Sequence, residues 1–283
     1  MAVVDRSPRA RVATAIRYAA LILGAILFLI PFYLLLRNAL MSERDLGSPQ
    51  WYWVPPSWHP ENFTAIFNDP ALPMARSLVN SVAIAIVQTL GVLILSGLAG
   101  YGLARIPYRW SNAVFYLITA TLLIPAAVTF VPSFVLVSTL GWISTLRGLI
   151  IPGLFQALAT FLFRQFFLGF PKEIEEAAFL DGLGYWGTFW RVVVPNSYGF
   201  AAAIGTITFI GSWNAFLWPL VIGREQTTWT VQIALSTFLT AQSVDLSHLF
   251  AAALVAIAPL LLMFLFLQRW IVEGVERTGM GGD

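Results

Sequence analysis

The sequence predicts an all-α integral membrane protein with six transmembrane helices, and three observations carry that prediction. First, the 283 residues are 58% hydrophobic and only 11% charged, where a soluble domain is roughly half apolar and a quarter charged. Second, uncharged runs of about twenty residues recur along the chain, each long enough to cross about 30 Å of hydrocarbon as a helix. Third, the arginines gather on alternate connecting segments, as the positive-inside rule requires. There is no cysteine, so disulfides, thiolate nucleophiles and cysteine–metal sites are excluded. The two histidines, His59 and His248, stand far apart without metal-ligand spacing, so no metal site is expected. A net charge of +2 gives no reason to expect a nucleic acid partner.

Taken in order, residues 1–17 carry Arg6, Arg9, Arg11 and Arg17 without apolar periodicity and form an N-terminal segment. Residues 18–36 are uncharged. The run is long and no small-x-small cleavage site follows, so it reads as a retained first span rather than a signal peptide. Residues 37–76 are polar, aromatic and proline-rich. Trp51, Tyr52, Trp53 and Trp58 suit a membrane–water interface, a sugar-stacking platform being the other use of such rings. Residues 77–104 make the second span, rich in the Gly, Ala and Ser that let membrane helices approach closely.

Residues 111–146 hold no charge and are too long for one helix. Gly141-Trp142 offers the break, giving a third span over about 111–137, kinked at Pro125 and Pro132, and a fourth over about 147–167. The fifth span covers 196–221, a polar hairpin 222–247, and the sixth span 248–268 before the tail IVEGVERTGMGGD. The domain plan is thus 1–17 inside, a six-helix domain over 18–270, and a tail 271–283 inside. With both termini cytoplasmic, the inner segments hold eleven of the sixteen basic residues and the outer ones five, Arg37, Arg44, Arg76, Arg147 and Arg224.

Between spans four and five lies the longest charged interruption, 169–195, with the only lysine, Lys172. Pro171 suits a first helical turn. Glu173, Glu175 and Glu176 favour the positive end of the helix dipole. Ile174, Ala177, Ala178 and Asp181 fall on one face. Gly182 or Gly184 can end the helix in a left-handed cap. A second short helix over about 185–194 would carry Trp186, Phe189, Trp190 and Val193 on one side, and Pro195 marks the junction with span five.

Glu176-Ala177-Ala178, two residues, Asp181-Gly182 and a Val-Val-Val-Pro ending at Pro195 resemble the EAA loop of ABC-importer permeases. Further stretches are similar to the carbohydrate-uptake, MalG-like branch of that family: Asn80-Ser81, Tyr101 to Arg105, Ile124-Pro125, Leu162 to Phe167, and Trp213 to Pro219. The resemblance covers nearly the whole chain and implies the type I importer permease fold. It implies a subunit that moves a sugar or related polyhydroxylated solute inward by alternating access. The implied partners are a second, different permease subunit, two ATPase subunits that bind ATP and Mg, and an extracytoplasmic solute-binding protein. The implied location is the lipid bilayer of a bacterial or archaeal inner membrane. Carried over, Glu175, Glu176, Ala177, Ala178, Asp181, Gly182 and Leu183 make the ATPase contact. Leu183 departs from the family, which commonly has Ala there.

The chain has no nucleotide site of its own, since G-x-x-x-x-G-K-[ST] is absent and Lys172 follows Phe170-Pro171. No catalytic set is legible, so the chain reads as a transport subunit and not an enzyme. The rival is a secondary carrier or channel without an ATPase, but the span centres lack the ionisable relays such carriers use. The solute path is expected at Asn214, with Trp213 and Trp218 beside it, Asn214 and Trp218 sharing a helical face at i and i+4. An interhelical hydrogen bond is the other use of that amide. Thr237 and Gln242, in the outer hairpin, are the expected contacts to the binding protein.

Overall fold

The computed structural model describes residues 8–240 and 245–279, and among them every regular element is helical. In chain order these are α1 (Pro8–Ala39), α2 (Glu43–Leu46), α3 (Glu61–Asn68), α4 (Met74–Arg105), α5 (Ser111–Ala120) and α6 (Ala126–Thr139). Then come α7 (Leu146–Ile150), α8 (Ala157–Leu168), α9 (Lys172–Leu180), α10 (Tyr185–Thr188), α11 (Val194–Asn196) and α12 (Tyr198–Trp213). Last are α13 (Leu217–Ile222), α14 (Val231–Thr240) and α15 (Leu246–Gly279). Among the described residues four helical stretches are long and apolar enough to cross a membrane, and two pairs of helices bent at a break bring the number to six if each pair is one span. Helix α1 begins inside the expected N-terminal segment, and α15 takes in most of the expected tail.

Contacts divide the chain into two units, Met1–Asp69 with Phe238–Val255 and Pro70–Thr237 with Ala256–Asp283. In the first unit α1 wears its apolar side chains outward, Phe28 being 80% exposed. A helix apolar all round and uncovered by protein is built for lipid. Its C-terminal end is tied down by polar groups. The Asn62 amide donates to the carbonyls of Ala39 and Met41, both at 3.0 Å. The buried Arg37 guanidinium lies 4.4 Å from the Trp51 ring and donates to the Tyr52 carbonyl. Trp51, Trp53 and Trp58 remain exposed.

The second unit is arranged around α4. A buried aromatic cluster of Tyr101, Phe163, Phe167, Phe170 and Phe189, closed by Val92, Val193 and Ile204, joins α4 to α8, α12 and the loop between them. A Cβ placed on Gly100 would stand 2.6 Å from the Phe163 Cβ and 2.9 Å from the Arg164 nitrogen. Only a hydrogen fits there, which is what the small-residue composition of this span is for. At the other end of α4, Asn80 donates to the carbonyls of Thr227 and Trp229, and the Ser81 hydroxyl accepts from the Val231 N–H. The Asn-Ser pair thereby fixes the turn before α14.

The spans are more broken than the sequence suggests. Pro125 does not kink the third span but ends a helix. Ile124 before it takes an extended conformation, φ −85° and ψ 116°, because the proline ring clashes with a helical predecessor. The two halves, Ser111–Leu123 and Ala126–Thr139, meet at 100°, while Pro132 stays inside α6. The fourth span opens as α7, continues through a 3-10 turn at Ile151–Gly153, and resumes as α8 after an extended Gln156. The fifth does not run through to 221. It stops at Trp213 and resumes as α13, where Pro219 occupies a first-turn position that needs no N–H. The expected hairpin 222–247 holds a 3-10 turn and α14.

Candidate functional site

The loop after α8 is a helix, a turn and a second helix. Pro171 occupies the cap position at φ −58° and ψ 123°, just ahead of α9 rather than within its first turn. At the other end Gly182 has φ +83°, and the choice between the two glycines falls to it. Its N–H reaches the Phe179 carbonyl and the Leu183 N–H the Ala178 carbonyl, each at 3.0 Å. These two bonds are the Schellman pattern, which satisfies the last carbonyls and turns the chain sharply. Gly184 instead precedes α10 in an extended conformation. Beyond α10 the helix widens to a π turn over Phe189–Val193 before α11. Pro195 cannot donate to the preceding turn, which accounts for the change of register.

The faces of this loop differ from the periodic reading. In α9 the inward residues are Glu175 and Ala178, 5% exposed each, while Ile174, Glu176, Ala177, Asp181 and Gly182 face out. In the second helix Phe189 and Val193 point in, but Trp186 and Trp190 lie outside, paired edge to face at 5.8 Å. Leu183 is half-buried and packs over Gly187 within the loop. Glu175 meets Arg105, the last residue of α4, with Nε to Oε1 at 3.2 Å, both side chains more than nine-tenths buried. Burial pushes the Glu175 carboxyl above its usual range, with the Arg105 charge opposing that rise. Arg105 Nη2 also donates to the Phe170 carbonyl.

About half-way along α4 a second feature opens, a cavity of about 520 Å³. Gln88, Ser133, Gln156, Thr208, Ser212 and Trp218 supply its polar lining, with Phe130 beside them and no charged side chain among the lining residues. Gln88 holds the wall together. Its amide donates to the carbonyls of Leu149 and Ile150, at 2.9 and 3.2 Å, and its oxygen accepts from the Ser212 hydroxyl at 2.5 Å. The Trp218 indole donates to the Gly148 carbonyl at 3.1 Å, and its ring meets Phe130 edge to face. Ser133 and Gln156 are lining side chains that make no hydrogen bond among the described residues.

Of the expected path residues only Trp218 lines this cavity. Trp213 is 1% exposed and donates to the Ala256 carbonyl at 3.2 Å, which makes it core. Asn214 follows the last turn of α12, exposed, with its oxygen accepting from Gln232 at 3.3 Å. It therefore shares no helical face with Trp218. Gln88 carries no motif, and its signal in the sequence is an amide near the middle of a 32-residue helix whose charges and other amide, Arg76, Asn80 and Arg105, lie toward its ends. Thr237 is half-buried on α14 with its hydroxyl donating to the Ala234 carbonyl. Gln242 lies outside the described residues.

Several apolar helices, a capped helix–turn–helix loop and an uncharged cavity half-way along α4 define the class as a membrane transport subunit. Residues 93–277 match the family described as the inner membrane component of binding-protein-dependent transport systems, and the chain belongs to that family. It is a transport component and not an enzyme. It is 34% identical over 222 residues to the arabinooligosaccharides transport system permease protein AraQ of Halalkalibacterium halodurans, covering 78% of this chain and 79% of that one. It is 30% identical over 269 residues to the sn-glycerol-3-phosphate transport system permease protein UgpE of Yersinia enterocolitica, covering 91% and 94%. A solved bacterial ABC transporter involved in the import of the acidic polysaccharide alginate shares the fold, with a TM-score of 0.80 at 19% identity over 94% of this chain and 98% of that one. The family sets aside the reading as a carrier that works without an ATPase.

Proposed function

We propose that this subunit forms half of the membrane path of an ATP-driven importer for a neutral sugar or related polyhydroxylated solute. The observation that carries the solute class is the cavity. Aromatic faces at Trp218 and Phe130, hydroxyls and amides, and no lining charge suit a hydroxylated ring better than a phosphate or a uronate. Of the relatives' named solutes, the neutral arabinooligosaccharides fit this lining best. Ser133 and Gln156 are the groups open to solute hydroxyls. The second half comes from a different permease chain. An extracytoplasmic solute-binding protein delivers the solute near Thr237 and the hairpin around it.

The loop 169–195 is the ATPase contact in this reading. Glu176, Ala177, Asp181 and Gly182 meet the partner directly, while Glu175 and Ala178 lie beneath that surface without touching the partner and Leu183 supports the turn. Two ATPase subunits bind ATP and Mg, and the N-terminal segment 1–17, the loop and the tail 271–283 share their side of the membrane. The test is transport by the complex, reconstituted with its binding protein in liposomes, of neutral oligosaccharides, glycerol phosphate and acidic saccharides. Preference for the neutral set is expected, and preference for an anionic solute overturns the solute class.

A further inference from the structure

The buried pair of Glu175 and Arg105 has no place in an outward contact, yet it joins the two features described above through one element. Arg105 is the last residue of α4 and grips the loop at two points, the Glu175 carboxylate in α9 and the Phe170 carbonyl before it. One turn earlier Tyr101 packs edge to face on Phe167, at 5.7 Å, and against Phe189 of the π turn at 5.0 Å. Its hydroxyl is buried there without a partner among the described residues. The loop therefore cannot shift toward or away from the bundle without moving the end of α4. Seventeen residues up the same helix, about 25 Å away at 1.5 Å per residue, Gln88 is bonded to the carbonyls before the break in the fourth span and to Ser212 of α12.

We infer that α4 is the rod that carries movement of the ATPase-contact loop to the cavity, with Arg105–Glu175 the clamp at its cytoplasmic end and Gln88 the attachment at mid-depth. Glu175 and Arg105 are positioning residues: they touch neither the solute nor the ATPase. A helix with all its hydrogen bonds internal is stiff along its axis, whereas an exposed ion pair is worth little and slips. Burial makes this pair different, because separating it leaves a charge without a partner in a dry site. The inference rests on the loop reading given above, and the experiment separates the two.

The chain has no cysteine, so Ala215→Cys, in the cavity wall, gives this chain a single thiol, whose labelling in the complete reconstituted complex is read on the separated permease band. With the clamp intact, ATP should change the labelling rate about tenfold, within the ordinary range of coupling between sites. With Glu175→Gln added, the ATPase subunits should still co-purify and hydrolyse ATP while the labelling rate no longer responds. Glu175→Asp, which keeps the charge on a shorter stem, should restore part of the response. An unchanged ATP response in Glu175→Gln overturns the clamp and leaves the loop reading standing. Failure of the ATPase to bind the intact chain removes the loop reading itself. If Glu175→Gln and Glu175→Asp both fail to assemble, the pair is a folding element and the inference falls.

Discussion

The loop at 169–195 and the cavity half-way along α4 are built on opposite plans. The loop is regular and stands on backbone rules: a proline before the helix, a left-handed glycine after it, and one buried ion pair beneath. The cavity is irregular, lying where three spans are interrupted, and it stands on side-chain bonds from Gln88 and Trp218 to the carbonyls that the interruptions set free. A surface that must fit a partner repeatedly gains from a rigid backbone. A passage gains from breaks, since a continuous helix has no free carbonyls and no bend to enclose space.

The contrast can be broken most severely at Gly182. Gly182→Val puts a β-branched residue at φ +83°, a strain of about 1–3 kcal/mol, and should abolish the turn. Solute-stimulated ATP hydrolysis in the reconstituted complex should fall about tenfold or more at equal expression, and wild-type coupling would contradict the backbone plan. Next comes Gln88→Leu, which strands two carbonyls and a hydroxyl at about 1–3 kcal/mol. It should lower the thermal midpoint in detergent and slow transport while ATPase subunits still bind. A fully stable, fully active variant would show that side-chain bonds do not hold the cavity.

A smaller effect is expected from Ser133→Ala combined with Gln156→Ala, because each removes one proposed solute hydrogen bond of about 0.5–1.5 kcal/mol. Thermal stability should stay constant while the ranking among related sugars shifts several-fold in transport assays, and an unmoved ranking would take both residues off the path. The smallest belongs to Asn214→Ala. An exposed side chain with one 3.3 Å bond to Gln232 should matter by less than about 0.5 kcal/mol. Transport and thermal midpoint should both match the parent chain, and a large loss would return Asn214 to the path.

The spans and the loop were legible because their signals are local. Apolar runs between arginines set the count of spans, and Pro171, the three glutamates and Gly182 mark the loop within twelve residues. The inner and outer faces of α9 were not legible, because Glu175 is buried by a partner seventy residues away, and periodicity places a carboxylate outside by default. The breaks were hidden for another reason. In a span apolar on every face, hydrophobic periodicity is silent about where a helix stops, so Asn214 and Trp218 looked like neighbours on one helix. Of the two prolines read as kinks in the third span, Pro132 stays inside α6 and Pro125 ends a helix outright.

The wall of the cavity has one more property, which bears on how long a passenger stays. The Gln88 amide, the Trp218 indole, and the hydroxyls of Ser212, Thr208 and Thr129 already donate to atoms of the chain itself. On the proposed path a sugar would find lone pairs and ring faces to glide along but few donors to grip it. Conduction favours such a surface, welcoming enough to enter and too slippery to detain. For the proposed path this leaves tight capture to a step upstream of the membrane, and dwell time inside the bilayer to the opening of the passage rather than to the grip of its walls.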